Sequence, residues 1–216
     1  EFGGPLSSAL NLDPLTPVVI TDPNVASQAP YTNTGAVRDA NGNPYGVSSL
    51  VQQEMANPLA YIKTREGNYG FSNNIVGNAF LEVEPIAGLK FRSSIGTKMS
   101  YWGGESFTPI YYLNASTNTN QTSFNRNTSS KMDYNIENTV IYTKDFENHG
   151  FSILLGQGAY RDSYSKSLGL TKYDIPVDNF DDGSLNFGVP ISSTDPSGSE
   201  GTEHKVSSLF TRVTYN

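Results

Sequence analysis

The segment 71–101 alternates between apolar and polar positions along two runs, which a short turn at 85–88 joins. The apolar positions of one face are Phe71, Ile75, Ala79, Leu81, Val83, Leu89, Phe91, Ile95, Met99 and Tyr101. The positions between them include Glu82, Glu84, Lys90, Arg92 and Lys98. A period of two predicts β-strands whose two faces meet different surroundings. Each run has about thirteen residues, roughly twice the common strand length and enough to cross a bilayer.

The same pattern continues towards the carboxyl end of the chain. It predicts strands over 131–144 and 151–161 and a further strand that begins near His204. The apolar face of the first of these consists of Met132, Tyr134, Ile136, Val140 and Tyr142. In total we expect about five to seven antiparallel strands.

The connections between these strands alternate in length. Short turns at 85–88 and 145–150 alternate with long polar segments at 102–130 and 162–203. A soluble sandwich gives no reason for this alternation, whereas a transmembrane barrel has short periplasmic turns and long outer loops. The sequence therefore predicts an all-β fold, an antiparallel segment of a transmembrane β-barrel, with its strands and outer loops in 71–216. Because bacterial barrels begin at about eight strands, we expect an incomplete barrel that is one piece of a longer protein.

Residues 1–70 are rich in proline, asparagine and glycine. This composition predicts an extended loop region with a short hairpin or helix. Only the run VSSLVQQEMA at 47–56 has the composition of a helix, and that helix would be short.

Aromatic residues cluster near both predicted ends of the strands, as in the aromatic girdles of membrane barrels. Those near the outer rim are Phe71, Tyr101, Trp102, Tyr134 and Tyr160. Those near the inner rim are Phe91, Tyr142, Phe146, Phe151 and Tyr215.

Composition and charge exclude several classes of protein. The net charge is −7 and basic clusters are absent, so binding to nucleic acid is excluded. The longest uninterrupted apolar runs are only a few residues, which is too short for a transmembrane helix. The chain has no cysteine, which favours a bacterial origin over a secreted eukaryotic domain.

The candidate ligand-binding residues are Lys90, Arg92, Lys98, Trp102, Tyr111 and Tyr112. The three cations share one face of the second strand and oppose Glu82 and Glu84, so a cross-strand ladder of salt bridges is favoured over substrate contact. The three aromatic residues lie in or beside the long segment 102–130. They could stack on sugar rings, but packing against a partner or a neighbouring loop is favoured.

No pattern for catalysis, metal binding or a cofactor is present. His149 and His204 belong to different connections, so they support neither a metal site nor a catalytic triad. The acidic run 178–183 fits the spacing of a calcium loop poorly. We therefore predict no catalytic residue, no metal site, no cofactor and no enzymatic activity.

Nine short motifs occur in one order along the chain. They are NPLA at 57–60, NIVGNA at 74–79, LE at 81–82, PIAGLKFRSSIG at 85–96, ENT at 137–139, YTK at 142–144, HGF at 149–151, LLGQ at 154–157 and SLFTRVTYN at 208–216. In residues and order they resemble the SusC/RagA family of TonB-dependent outer-membrane transporters. The resemblance implies a bacterial outer-membrane protein that imports a glycan or peptide oligomer.

The resemblance also implies several partners. A SusD-like surface lipoprotein would cap the barrel, and the lipid bilayer would surround it. The TonB complex would act through parts that this chain lacks, because the plug and the TonB-interacting segment of the family are absent here.

Two other classes of function remain open from the sequence: a soluble secreted carbohydrate-binding β-sandwich and a surface enzyme with unrecognised carboxylates. One observation separates the barrel from the sandwich. In a barrel wall the six side chains of Leu81, Val83, Phe91, Ile95, Ile136 and Val140 are exposed. In a sandwich they are buried between two sheets.

Overall fold

The computed structural model describes residues 4–51, 55–187 and 189–216. The helices in these ranges are α1 (Pro5–Asn11), α2 (Pro23–Ala26), α3 (Pro58–Lys63) and a 3-10 helix at Ile191–Ser193. The strands are β1 (Tyr69–Ile86), β2 (Leu89–Thr108), β3 (Tyr111–Tyr112), β4 (Asn118–Thr119), β5 (Ser123–Phe146), β6 (His149–Asp162), β7 (Lys166–Tyr173), β8 (Thr194–Glu200) and β9 (His204–Tyr215). Within the described ranges, no helix has both the length and the apolar character needed to span a bilayer.

Seven of the strands form one sheet. Its main order is β1-β2-β5-β6-β9, while β7 pairs with β5 and β8 pairs with β7. β6 pairs antiparallel with Tyr134–Phe146 of β5 and, through Phe151–Asp162, with β9. The described part of the sheet does not close on itself, because β1 and β9 are not paired with each other. The predicted all-β, antiparallel and incomplete architecture is therefore confirmed.

The strands reach further than the alternation of apolar residues predicts. β5 begins at Ser123, inside the segment 102–130 that was predicted as a loop. β7 and β8 lie inside the predicted loop 162–203. The start of β5 and the whole of β8 are largely polar, so a hydrophobic pattern does not mark them. In β7, Leu168 and Leu170 alternate over only a few residues, and Ser167 Oγ lies 2.7 Å from Ser129 Oγ of β5.

The helix predicted at 47–56 is not formed in the residues that the structure describes there, 47–51 and 55–56. Its central residues, 52–54, lie outside the described ranges. The helix of this region is instead α3, which Asn57 begins. The Asn57 carboxamide oxygen accepts from the backbone amides of Leu59 and Ala60, and Pro58 occupies the first turn.

The chain divides into two compact units. The first, here called the loop unit, comprises the described residues of Glu1–Gly70, Gly104–Asn127 and Gly169–Pro196. The second, here called the strand unit, comprises Phe71–Gly103, Thr128–Leu168 and Ser197–Asn216.

The loop unit contains two small hydrophobic clusters. One is centred on Ala56, Ala60 and Leu113. The other is centred on Phe107, Phe124 and Ile175. The NPLA motif belongs to the first cluster: the buried Asn57 also donates to the Val18 carbonyl at 2.8 Å, so it joins the start of α3 to a distant loop. Burial of these apolar groups stabilises a region that has little regular secondary structure.

The strand unit has two chemically different faces. Directly opposed residues in an antiparallel pair lie on the same side of the sheet. In the register of these pairs, Val140 opposes Leu155, and Leu155 opposes Thr211. The neighbouring row, Thr139, Gly156 and Phe210, lies on the other side.

A pH-dependent contact in the loop unit leads to a testable prediction. The Asp13 carboxylate accepts a hydrogen bond from the Ser48 hydroxyl, and this bond is the main reason that its pKa lies below the ordinary value. Further bonds from Thr16 and Leu15 lower the pKa against the opposing effect of desolvation. A depressed folded-state pKa stabilises the fold above the unfolded-state pKa of about 3.9, and this stabilisation is lost as the pH falls through the folded-state value.

We therefore expect the protection factors of the Leu15 and Thr16 amides, which are the intrinsic exchange rates divided by the observed ones, to be smaller below about pH 4 than at pH 7. In the variant Asp13→Asn these protection factors should be small at both pH values, and hydrogen exchange corrected for the intrinsic rate at each pH measures the difference. Equal protection of these amides in the wild type at pH 3 and pH 7 would contradict the assignment.

Candidate functional site

The strand unit carries a groove of about 590 Å³. Its lining comes from β1, β2, β5 and β6: Val76, Gly77, Asn78, Ala79, Phe80, Arg92, Ser94, Ile95, Gly96, Thr97, Lys98, Asp133, Tyr134, Asn135 and Tyr160. The polar members lie mostly at even positions of β1 and β2 and at odd positions of β5. We call this side of the sheet the polar face and the opposite side the apolar face.

A ladder of ion pairs crosses from β1 to β2 on the polar face. Lys90 Nζ lies 4.0 Å from a Glu82 oxygen and 3.9 Å from a Glu84 oxygen. Arg92 lies 3.9 Å from Glu82, and its guanidinium stands 4.3 Å from the centre of the Phe80 ring. The structure therefore shows the cross-strand ladder that the sequence favoured. All these side chains are about half exposed, so each pair contributes little stability by itself.

Lys98 differs from the other two predicted cations. It lines the groove, and within the described ranges it has no carboxylate within ion-pair distance. The groove also contains Asp133, Asn135 and Tyr160, which supply an anion, an amide and a phenol.

The apolar face is exposed. All six side chains chosen to separate the barrel from the sandwich are exposed, from Leu81 at 64 % to Ile136 at 36 %. Leu155 and Val213, in the same rows of the sheet, are exposed at 55 % and 61 %. This exposure is the result expected for a barrel wall, and a two-sheet core would have buried these groups.

The predicted aromatic candidates occupy separate places. Trp102 is half-buried in β2 and belongs to the strand unit. Tyr111 and Tyr112 form β3 in the loop unit, where Tyr111 packs against the Leu113 cluster. The packing of Tyr111 follows the favoured interpretation, and binding of a ligand by these three residues stays a prediction.

Several groove residues were not among the predicted ligand-binding residues, namely Asn78, Phe80, Asp133, Asn135 and Tyr160. Asn78 and Phe80 share the face of Glu82 in the alternation, so that signal was available. The approach of β5 and β6 to β2 is a property of sheet order, which no local pattern specifies. Among the described residues, no group of three or more acidic or histidine side chains is placed to hold a metal ion.

Solved structures with a similar fold exist. The structure of the RagAB peptide transporter matches 82% of this chain with a TM-score of 0.66 and 19% identity. The RagAB peptide importer matches in its open-open state with a TM-score of 0.64 and in its closed-closed state with 0.65, both at 20% identity. In each case this chain spans 19% of the length of the matched chain. No family model and no curated protein matches the sequence.

Proposed function

We propose that this chain forms part of the barrel wall and outer loops of a TonB-dependent outer-membrane transporter of the SusC type. The observation that carries the proposal is the exposed apolar face behind a charged groove. In water such a face would promote association, whereas hydrocarbon on one side and a wet pore on the other satisfy both faces. The sequence resemblance to the SusC/RagA family and the fold shared with the RagAB structures support the same function.

The proposed cargo is an oligomer of sugars or amino acids, and the proposed partners are a SusD-like lipoprotein and the TonB complex. The RagAB structures are described as those of a peptide transporter, which favours peptides. The role proposed for this chain is transport without catalysis. A soluble carbohydrate-binding sandwich is less consistent with the exposed apolar face, because its strands would bury that face.

A spin-label experiment tests the placement of the two faces. The full-length protein in its membrane carries a nitroxide at Leu155→Cys. We expect the electron spin of this label to relax faster with oxygen than with a water-soluble nickel chelate, because oxygen concentrates in lipid. A nitroxide at Ser152→Cys should respond more to a water-soluble nickel chelate, because Ser152 opposes Thr143 and Thr214 on the polar face. Collision rates measured by electron paramagnetic resonance give the comparison. Greater access of the nickel chelate at position 155 would refute the proposal.

A second variant tests the groove. Since Lys98 has no carboxylate partner among the described residues, its charge is available to a cargo. We expect Lys98→Gln to reduce uptake of an acidic oligomer by about fivefold, the value of one charged hydrogen bond that is partly exposed.

Uptake of fluorescent acidic peptides and acidic oligosaccharides by cells that express the full-length protein provides the measurement. Lys144→Gln is the matched control, because Lys144 is an exposed lysine of β5 outside the groove lining. If Lys98→Gln takes up acidic peptides and acidic oligosaccharides as the wild type does, Lys98 does not contact the cargo during transport.

A further inference from the structure

A second, smaller pocket of about 270 Å³ lies on the strand unit. Its lining is Met99, Tyr101, Ser130, Lys131, Met132, Arg161, Ser163, Tyr164 and Lys166. Met99 and Tyr101 are apolar-face positions of β2, and Met132 is an apolar-face position of β5. Most of the lining of this pocket therefore belongs to the side of the sheet opposite the polar groove, whereas Lys131, an odd position of β5, belongs to the polar face.

The pocket has an excess of positive charge. Arg161 opposes Lys205 directly across β6 and β9, an arrangement that places two like charges side by side. Glu203 forms ion pairs with both of them, and its distance to Lys205 is 2.8 Å. The single carboxylate of Glu203 therefore pairs with two cations, Arg161 and Lys205. Within the described ranges Lys166 has no ion pair at all, and its ammonium stands 5.3 Å from the centre of the Tyr164 ring.

Lys131 pairs with both Asp133 and Asp162, so these three side chains together carry a formal charge of −1. With Arg161, Lys205, Lys166 and Glu203 included, the four cations and three carboxylates have a formal charge of +1, and among the described residues Lys166 is the cation without an ion pair. A phosphate monoester, with a charge near −2 and acceptor oxygens that suit Arg and Lys, complements this cluster.

The position of the cluster along the strands indicates where such a phosphate would reside. Met99 lies ten residues beyond Leu89, where β2 leaves its tight turn. Ten strand residues rise roughly 33 Å, and a tilt of about 40° reduces this to roughly 25 Å along the membrane normal. That is about the height of the apolar band of a membrane barrel. The cluster therefore lies at headgroup depth, on the side away from the short turns.

Exposed apolar side chains lead from the cluster back towards the turns. On β5, Met132 is followed at intervals of four residues by Ile136 and Val140, all on the apolar face and all exposed. On β2, Ile95 and Phe91 continue the same line from Met99. A cationic pocket at the upper end of two apolar rows complements an amphipathic molecule with an anionic head and acyl chains.

We propose that the pocket around Arg161 and Lys166 binds the phosphorylated headgroup of an outer-leaflet lipid, with the acyl chains along the Met132–Val140 and Phe91–Met99 rows. Arg161 and Lys166 donate to the phosphate, Tyr164 and Tyr101 flank it, and Glu203 holds Arg161 in place. The inference rests on the proposed function, because it requires the apolar face to lie in a bilayer.

The experiment uses the full-length protein, purified in mild detergent and mixed with phosphatidylcholine nanodiscs that contain diphosphoryl lipid A. Native mass spectrometry of the released protein counts the phosphorylated lipids that stay bound. We expect Lys166→Gln and Arg161→Gln each to reduce this retention by about tenfold, the usual value of one charge-assisted hydrogen bond. Lys166→Arg should retain the lipid, and a dephosphorylated lipid A should not be retained by the wild type.

The matched control is Lys144→Gln. Lys144 is also a lysine over an aromatic ring, 5.1 Å from the centre of Phe146, but it lies beside the short turn at the other end of β5. Its substitution should leave retention unchanged. Loss of retention in Lys144→Gln equal to that in Lys166→Gln would overturn the assignment of this pocket. Displacement of the lipid by inorganic phosphate alone would also overturn it, by showing a site for a free anion.

The failure of this inference is distinguishable from failure of the proposed function. The heat-modifiable migration of each variant on a gel reports folding, and the spin labels at positions 152 and 155 report the orientation of the wall. A correctly oriented wall without selective retention of phosphorylated lipid refutes the lipid site alone. If the label at position 155 shows that the apolar face is in water, both the lipid site and the proposed function are refuted.

Discussion

Val140→Arg should destabilise the membrane-inserted protein by about 2–4 kcal/mol, the cost of an arginine on the lipid face near the middle of the bilayer. Val140 lies six residues from the end of β5 at Phe146 and eight from Met132, so it is near the middle of the part of β5 between these two residues. Its direct neighbour across the strand is the exposed Leu155, which offers the new charge no partner. Unfolding of the full-length protein in lipid vesicles by denaturant measures the change.

The matched control is the adjacent Thr139→Arg. Thr139 opposes Gly156 on the polar face, so its arginine would extend towards water at the same depth. We expect a change within about 1 kcal/mol for this variant, as for a surface substitution. Equal destabilisation by both arginines would mean that the two faces meet the same medium, and the assignment of the apolar face to lipid would then be wrong.

Gly88→Val should cost more than about 2 kcal/mol and reduce the yield of folded protein, for two separate reasons. Gly88 ends the turn between β1 and β2 with a φ of 83°, in the left-handed region that a β-branched residue avoids. A side chain there would also overlap the Thr143 carbonyl oxygen, because the two backbones hydrogen-bond closely, with Thr143 N to Gly88 O at 2.8 Å. Chemical denaturation and outer-membrane yield are the measurements.

Substitutions at two other glycines distinguish the effect of the positive φ from the effect of the overlap with Thr143. Gly42 has a similar φ of 84° with open space around its Cα, and Gly77 has open space without a positive φ. With alanine at each position, the stability loss should be largest at Gly88, smaller at Gly42 and smallest at Gly77. If Gly42→Ala and Gly88→Ala lose the same stability, the contact with Thr143 contributes nothing and only the backbone conformation matters.

The alternation of apolar and polar residues was sufficient to predict the two faces of the long strands. Leu81 and Glu82 are neighbours in sequence, and the extended backbone alone sends them to opposite sides. The facing charges of Glu82 and Lys90 likewise follow from the alternation and a short turn, and the structure shows them paired. The start of β5 was missed because its residues are polar on both sides apart from Phe124. β7 was missed although Leu168 and Leu170 alternate in it, because the strand is short and its pairing depends on partners far away in sequence.

The residues of the candidate sites likewise fall into those that local sequence predicts and those that only the sheet order brings together. Lys90, Arg92 and Lys98 were predictable as one row, because they belong to a single strand. The approach of Asn135 and Tyr160 to that row depends on the sheet order, and so does the placement of Arg161 opposite Lys205. Two strands of suitable pattern are equally able to pair in several orders, so local sequence leaves these contacts open.

The sequence by itself determined the all-β class, the amphipathic character of the strands and the tight turns, because each depends on the geometry of a few consecutive residues. Only the tertiary structure decided which strands are neighbours, how Asn57 joins the start of α3 to the loop at Val18, and which charged side chains come together in pockets. Those outcomes depend on pairing and packing between residues that are distant along the chain, and their energies exist only once the whole sheet has formed.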